Sequence, residues 1–229
     1  MILTKKTILW INQLSQKTLV NEKLFRTALT HDSISKKAGG KGKSNERLEF
    51  LGDRILGLVI AESLYKLYPK EKEGHLARRL AWLASRDVIS QVALKIKINE
   101  HILMSFSEEK SGGRENPAIL SDAVEALIAY FYLEYGLSYC NEFINDLWYN
   151  FLRAGDAPKD AKSALQEWAQ KKGYDLPLYT IIEQTGPDHD PEFVVEVSVG
   201  NKKASATAKN KKKAERIAAQ NLLMKVSPK

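Results

Sequence analysis

The chain has 229 residues, a formal net charge of +7, 44% hydrophobic residues, four histidines and one cysteine. That length and apolar content suit one large core or two modest ones, while a single cysteine excludes an internal disulfide framework. Residues 1–14 lack the apolar run of a secretory signal, and no later stretch approaches the roughly 18 uncharged apolar residues of a membrane span, so a cytoplasmic protein without membrane partners is expected.

Residues 1–152 are expected to be all helical. Helical spacing runs through 5–15, 22–30, 45–68, 73–83, 86–98, 117–134 and 138–152, with breaks at Tyr68-Pro69, Gly112-Gly113 and Gly136. The loop 35–43 is rich in glycine and lysine but lacks the Gly-Lys-Ser/Thr ending of a nucleotide P-loop, and it reads as a flexible basic connector.

The third predicted helix contains the anomaly that points to chemistry. From Glu49 the apolar stripe runs Asp53, Leu56, Ile60, Leu64, Leu67, in steps of three or four residues, so two carboxylates share the core-facing side. Glu46, with Ser44 or Asn45 as N-cap, suits a solvated first turn, but Asp53 lies beyond that turn. The pattern recurs at Ala118, Asp122, Glu125, Ala129 and Tyr132. Ionised carboxylates withdrawn from water cost several kcal/mol unless compensated. Two acidic helices facing each other across a hard divalent cation satisfy both, and Mg²⁺, with Mn²⁺ as substitute, matches an all-oxygen site that bridges carboxylates to phosphate. The histidines (His31, His75, His101, His189) and Cys140 show no zinc-binding spacing, and Cys140 reads as a small buried hydrophobe.

After a short polar linker at 153–159 the pattern changes, and residues 160–229 are expected to form a second, α+β domain of order α-β-β-β-α. Ala161, Ala164, Leu165, Trp168 and Ala169 mark one amphipathic helix. Alternation around Phe193, Val195, Val197 and Val199, flanked by runs at 178–183 and 202–208, predicts a three-stranded antiparallel sheet with a turn at Gly186-Pro187-Asp188. A last helix over 211–225 is expected to bury Ala214, Ile217, Ala218 and Leu222. Its start, Lys211-Lys212-Lys213, opposes the helix macrodipole unless an anion sits there, which suggests a phosphate backbone. Between 202 and 216 there are seven basic residues against one acid, Glu215.

Residues 45–53, Asn-Glu-Arg-Leu-Glu-Phe-Leu-Gly-Asp, together with Ala28-Leu29-Thr30-His31-Asp32-Ser33, Glu73-Gly74 and Ile119-Leu120-Ser121-Asp122-Ala123-Val124-Glu125-Ala126-Leu127, resemble the bacterial ribonuclease III family over nearly the whole chain. The resemblance implies an endonuclease domain followed by a double-stranded RNA-binding domain. It assigns Glu49, Asp53, Asp122 and Glu125 to catalytic Mg²⁺, with Asp53 and Glu125 as the catalytic pair, and puts Glu46 and Glu73 at the active-site periphery or subunit interface. It assigns Ser163, Gln166, Glu167 and His189 to successive minor grooves, and Lys211 and Lys212 to phosphates across the intervening major groove, a geometry that reads A-form shape. The implied reaction is Mg²⁺-dependent hydrolysis of double-stranded RNA by a homodimer, leaving 5′-phosphate and 3′-hydroxyl ends, with ribosomal RNA precursors and structured messenger RNAs as substrates.

The sequence departs from the family pattern at Ala77, where a serine is usual, and at Ala206 and Ala208, which replace glycines. The glycine replacements restrict any positive φ, while Asn210 retains the capacity to cap the last helix. Two other readings compete. A non-catalytic double-stranded RNA-binding protein would be marked by loss of one acidic ligand, and all four are present. A metal-dependent nucleotide phosphohydrolase would leave the second domain without a use.

Overall fold

The computed structural model describes residues 3–37, 43–154, 161–187 and 191–226. Packing separates residues 1–157 from 158–229. Of the 153–159 linker only Arg153 and Ala154 are described, and most of the 35–43 loop and Asp188 of the expected turn lie outside the described residues. No helix among those described is long and apolar enough to cross a membrane.

The first unit contains α1 (Lys5–Ser15), α2 (Glu22–Ala28), α3 (Asp32–Lys37), α4 (Glu46–Leu67), α5 (Glu73–Leu83), α6 (Arg86–Lys95), α7 (Phe106–Lys110), α8 (Pro117–Leu147) and α9 (Tyr149–Leu152). Their starts follow local chemistry. Thr4 Oγ1 accepts from Thr7 N, Asn21 Oδ1 from Leu24 N, and Asn116 Oδ1 from Ala118 N beside Pro117 at the first helical position. The break expected at Gly136 is a single residue at φ 80°, ψ 179°, which glycine adopts without strain. Two short helices, α3 and α7, were not expected from the spacing.

The centre of this unit is the pair α4 and α8. Leu56, Ile60 and Leu64 of α4 and Leu120, Val124, Leu127 and Ile128 of α8 are at most 1% exposed. Each such side chain contributes about 1.5–3 kcal/mol relative to exposure. Leu67, expected on the core stripe, is 38% exposed at the last position of α4, where the helix ends. The aromatics of α8 divide by role: Tyr130 and Phe131 are core, Tyr132 is exposed, and the hydroxyls of Tyr135 and Tyr139 donate to the carbonyls of Thr18 and Ser15, which fixes the α1–α2 connection. Cys140 is buried, its thiol pushed up to about 12 by burial, as a small hydrophobe should be.

The second unit contains α10 (Ala161–Lys171), β1 (Leu178–Thr185), β2 (Glu192–Val199), β3 (Lys202–Ala208) and α11 (Lys211–Val226). The sheet is antiparallel in the order β1-β2-β3, with a bulge between Ile181 and Glu183. Val197 and Val199 turn onto the face covered by Leu165 and Ala169 of α10 and by Ala218, Ala219 and Leu222 of α11. Ala219 is buried where Ile217 was expected, and Ile217 is half-exposed. The β2–β3 hairpin turns at Gly200, whose φ of +56° suits glycine. Lys162 and Glu215 join α10 to α11 at 2.7 Å.

Candidate active site and RNA-binding face

The acidic residues meet where α4 crosses α8. A Cβ placed on Gly52 would stand 1.7 Å from the carbonyl oxygen of Glu125, so the two backbones touch there and only glycine fits. That contact sets Glu49, one turn before Gly52, beside Asp122 and Glu125. One carboxylate oxygen from each of Glu49, Asp122 and Glu125 lies within 4.8 Å of the others. Glu125 is buried, and Glu49 and Asp122 are half-buried.

Three carboxylates held this close raise one another's proton affinity. Burial first, then the charges of Asp53, Asp122 and Glu49, push the Glu125 carboxyl up to about 8. Burial, then Asp122, Glu46 and Asp53, raise Glu49; burial raises Asp122. Opposing all three is Arg86, the first residue of α6, while His31 also lowers Asp122. The donor set is entirely oxygen and anionic, which fits a hard divalent cation and not zinc.

The remaining expected residues are placed differently. Asp53 stands apart from the trio: its carboxylate accepts from Arg54 Nη1 at 2.6 Å, a cation on its own helix that sequence spacing alone does not bring into account. Its charge nevertheless reaches Glu125. Glu46 is exposed, accepts from Ser44 Oγ at 2.7 Å, and borders a cleft of about 700 Å³ shared with Lys23, Arg47 and Leu133. Glu73 is exposed at the first position of α5 and is not brought to the cluster, because α5 leaves α4 at its far end. Ala77 is exposed on the same helix.

Sequence reasoning overlooked two residues whose charges bear on the cluster. Arg86 carried a detectable signal, a cation at a helix N-terminus, where it opposes the macrodipole. His31 lay in a quoted segment without a role. Its Nδ1 accepts from the Ser33 amide at 3.3 Å and sits 2.9 Å from Ser33 Oγ, so the neutral ring carries its proton on Nε2.

In the second unit, Ser163, Gln166 and Glu167 lie on the exposed side of α10, at the i, i+3, i+4 spacing that makes one face. Lys211 and Lys212 are exposed at the start of α11, where Asn210 Oδ1 accepts from Lys212 N at 2.9 Å and caps the helix. Ala206 and Ala208 pair with Val195 and Phe193 inside β3, and neither has positive φ, so alanine costs the backbone nothing there. His189 lies outside the described residues.

A profile described as Ribonuclease-III-like matches residues 21–150, and one of the double-stranded RNA binding motif matches 161–226. The chain belongs to the ribonuclease III family. Ribonuclease 3 of Caulobacter vibrioides is 47% identical over 206 residues, 89% of each chain, and that of Wolbachia pipientis wMel is 41% identical over 219 residues, 94% of each. The nuclease domain of ribonuclease III from Campylobacter jejuni matches with a TM-score of 0.59 and 36% identity, over 66% of this chain and 99% of that one. The helical unit is thus an endoribonuclease domain of the ribonuclease III type, and the α-β-β-β-α unit a double-stranded RNA-binding domain.

Proposed function

We propose that this ribonuclease III hydrolyses double-stranded RNA endonucleolytically with Mg²⁺, or Mn²⁺ in its place, leaving 5′-phosphate and 3′-hydroxyl ends. The observation that carries this reading is the clustering of Glu49, Asp122 and Glu125 at the Gly52 contact, in a chain that also holds a double-stranded RNA-binding domain.

Glu49, Asp122 and Glu125 would hold a divalent ion, which would supply an acidified water and offset charge on the departing oxygen. The chain's own residues provide the rest. Glu125, whose carboxyl is pushed up to about 8, would have to be deprotonated to serve as a ligand. Asp53 joins by turning from Arg54 toward the cluster, and Glu46 and Glu73 act at its periphery or at the subunit interface. Ser163, Gln166, Glu167 and His189 read minor grooves, and Lys211 and Lys212 hold phosphates.

The active form is a homodimer. Phe50, Leu58 and Tyr65 are 68%, 55% and 74% exposed along one side of α4, away from its buried stripe, and the C. jejuni relative has a region involved in dimer formation. Apolar exposure of this extent on one helix marks a docking face. Ribosomal RNA precursors and structured messenger RNAs in the cytoplasm are the substrates.

The deciding experiment incubates the protein with a long perfect RNA duplex, with Mg²⁺ or EDTA, beside Glu125→Ala, following cleavage and gel-shift binding together. Mg²⁺-dependent cutting that the variant loses while it still binds RNA supports the reading. Binding without cutting under any divalent ion overturns it in favour of a non-catalytic RNA-binding protein.

A further inference from the structure

Glu215 is the one acid among the seven basic residues between 202 and 216, and the structure gives it a partner outside that stretch. Its carboxylate accepts from Lys162 Nζ of α10 at 2.7 Å, and its side chain is only 13% exposed. The same ammonium lies 4.5 Å from the ring centre of Tyr179 in β1, within the range of a cation–π contact. Lys162 is the second residue of α10, where positive charge opposes the helix dipole, so the helix itself gains nothing from it. Three elements thus converge on one lysine. On its own helix Glu215 has other candidates: Lys211 and Lys212 stand four and three residues before it, the separations at which helical side chains are neighbours, and both are exposed. Among the described residues neither pairs with a carboxylate.

An ion pair within α11 would occupy an ammonium that a phosphate needs, and neighbours at these separations pair readily. Binding the backbone would then first require breaking that pair. We propose that Lys162 is a positioning residue of the RNA-binding face: it holds Glu215 against α10 and Tyr179, and so leaves Lys211 and Lys212 unpaired for the RNA backbone. This rests on the RNA-binding reading of those two lysines above, and adds to it the counter-ion that keeps them available. Lys162 acts through Glu215 and takes no phosphate itself.

Full-length wild type, Lys162→Met, Lys162→Arg, Glu215→Gln and the double variant Lys162→Met/Glu215→Gln are compared for binding to a long RNA duplex in EDTA. Gel shifts are run over a range of salt concentrations, below the melting temperature of every variant. Methionine keeps a straight apolar stem beside Tyr179 and removes only the charge. In Lys162→Met the released carboxylate turns to Lys211 or Lys212. Affinity near about 0.1 M salt is therefore expected to fall about fivefold, and the slope of log affinity against log salt by about one, as for one lost phosphate contact. Glu215→Gln alone is expected to leave the slope as in wild type, because that charge is already taken. Added to Lys162→Met, it should restore the wild-type slope, and Lys162→Arg should keep it. A slope that falls in Lys162→Met and stays low in the double variant shows that Lys162 itself meets phosphate. Weaker affinity at an unchanged slope shows that the pair serves stability alone. Either result, or wild-type binding by Lys162→Met, overturns the proposal. Lys211→Ala/Lys212→Ala is the control for the underlying reading: if its slope equals that of wild type, the RNA-binding role of those lysines fails first and takes the role of Lys162 with it.

Discussion

Gly52 and Glu125 touch backbone to backbone: a methyl group on the first would lie 1.7 Å from the carbonyl oxygen of the second. The contact brings a residue of the family signature directly against an acidic ligand candidate, so packing and chemistry share one point. Gly52→Ala is expected to push α4 from α8 and cost more than about 3 kcal/mol, in the range of severe overpacking. Gly57→Ala, on the same helix with nothing within 4 Å of the added atom, is expected to be neutral or to stabilise by up to about 1 kcal/mol. Thermal unfolding of the two variants side by side checks this; equal melting temperatures would mean that the crossing is looser than described.

The raised proton affinity of Glu125 has a definite sign for stability. Its folded pKa is about 8 against an ordinary 4.5, so the folded protein holds that proton more tightly than the unfolded chain. Its favourable contribution is complete below about 4.5 and is lost as pH rises through 8. Glu49 and Asp122 are shifted the same way. Metal-free wild type should therefore lose stability between pH 5 and 8 relative to Glu125→Gln, which at pH 8 should be more stable by on the order of 2 kcal/mol. Added Mn²⁺ should reverse the order, and calorimetric melts across that pH range decide it.

Much of this was legible because it lies in spacing that a helix or strand makes regular. The α4 and α8 stripes, the break at Gly136 and the alternation of Val195, Val197 and Val199 are periodic signals. α3 and α7, of six and five residues, are too short for a period to register, although Ser105 before Glu108 and Glu109 is a cap signal. Asp53 shares the helical face of Glu49, yet its neighbour Arg54 takes its carboxylate, which depends on rotamers. The charge of Arg86 bears on the cluster only because α6 packs on α8, a relation no local pattern encodes. The family resemblance supplied Glu46 and Glu73, and within one chain neither joins the trio.

Lys211 and Lys212 sit exposed where Asn210 already satisfies the first free amides of α11, so their side chains are not needed for the helix itself. Replacing both by alanine should weaken duplex binding with little change in melting temperature. The slope of log affinity against log salt should fall by about one per lysine removed. Ala206→Gly and Ala208→Gly, which restore the usual family residues, should not strengthen binding, because neither alanine occupies a positive-φ position. Gel shifts at several salt concentrations report both effects; an unchanged slope in the double lysine variant would remove these residues from the RNA face.

A last test concerns how α1 is held. His101 is buried, stacks on Trp10 at 4.2 Å between ring centroids, and lies 3.1 Å from Thr7 Oγ1 through Nδ1. Burial first, then the charges of Lys6 and Arg114, lower its pKa, with Glu100 opposing. The folded state thus prefers the neutral ring. That preference contributes stability above about 6.5, the ordinary histidine value, and the contribution is lost as pH falls below it toward the folded pKa. The imidazolium would then stand in an apolar stack beside two cations. Acidification from pH 7.5 to 5.5 should lower the melting temperature of wild type more than that of His101→Gln, with loss of the Trp10 Nε1 bond to the Ile96 carbonyl as α1 loosens. Exchange of the Trp10 indole proton, followed by NMR across that range, reads the loosening directly; protection that persists at pH 5.5 in wild type would show that His101 does not govern α1.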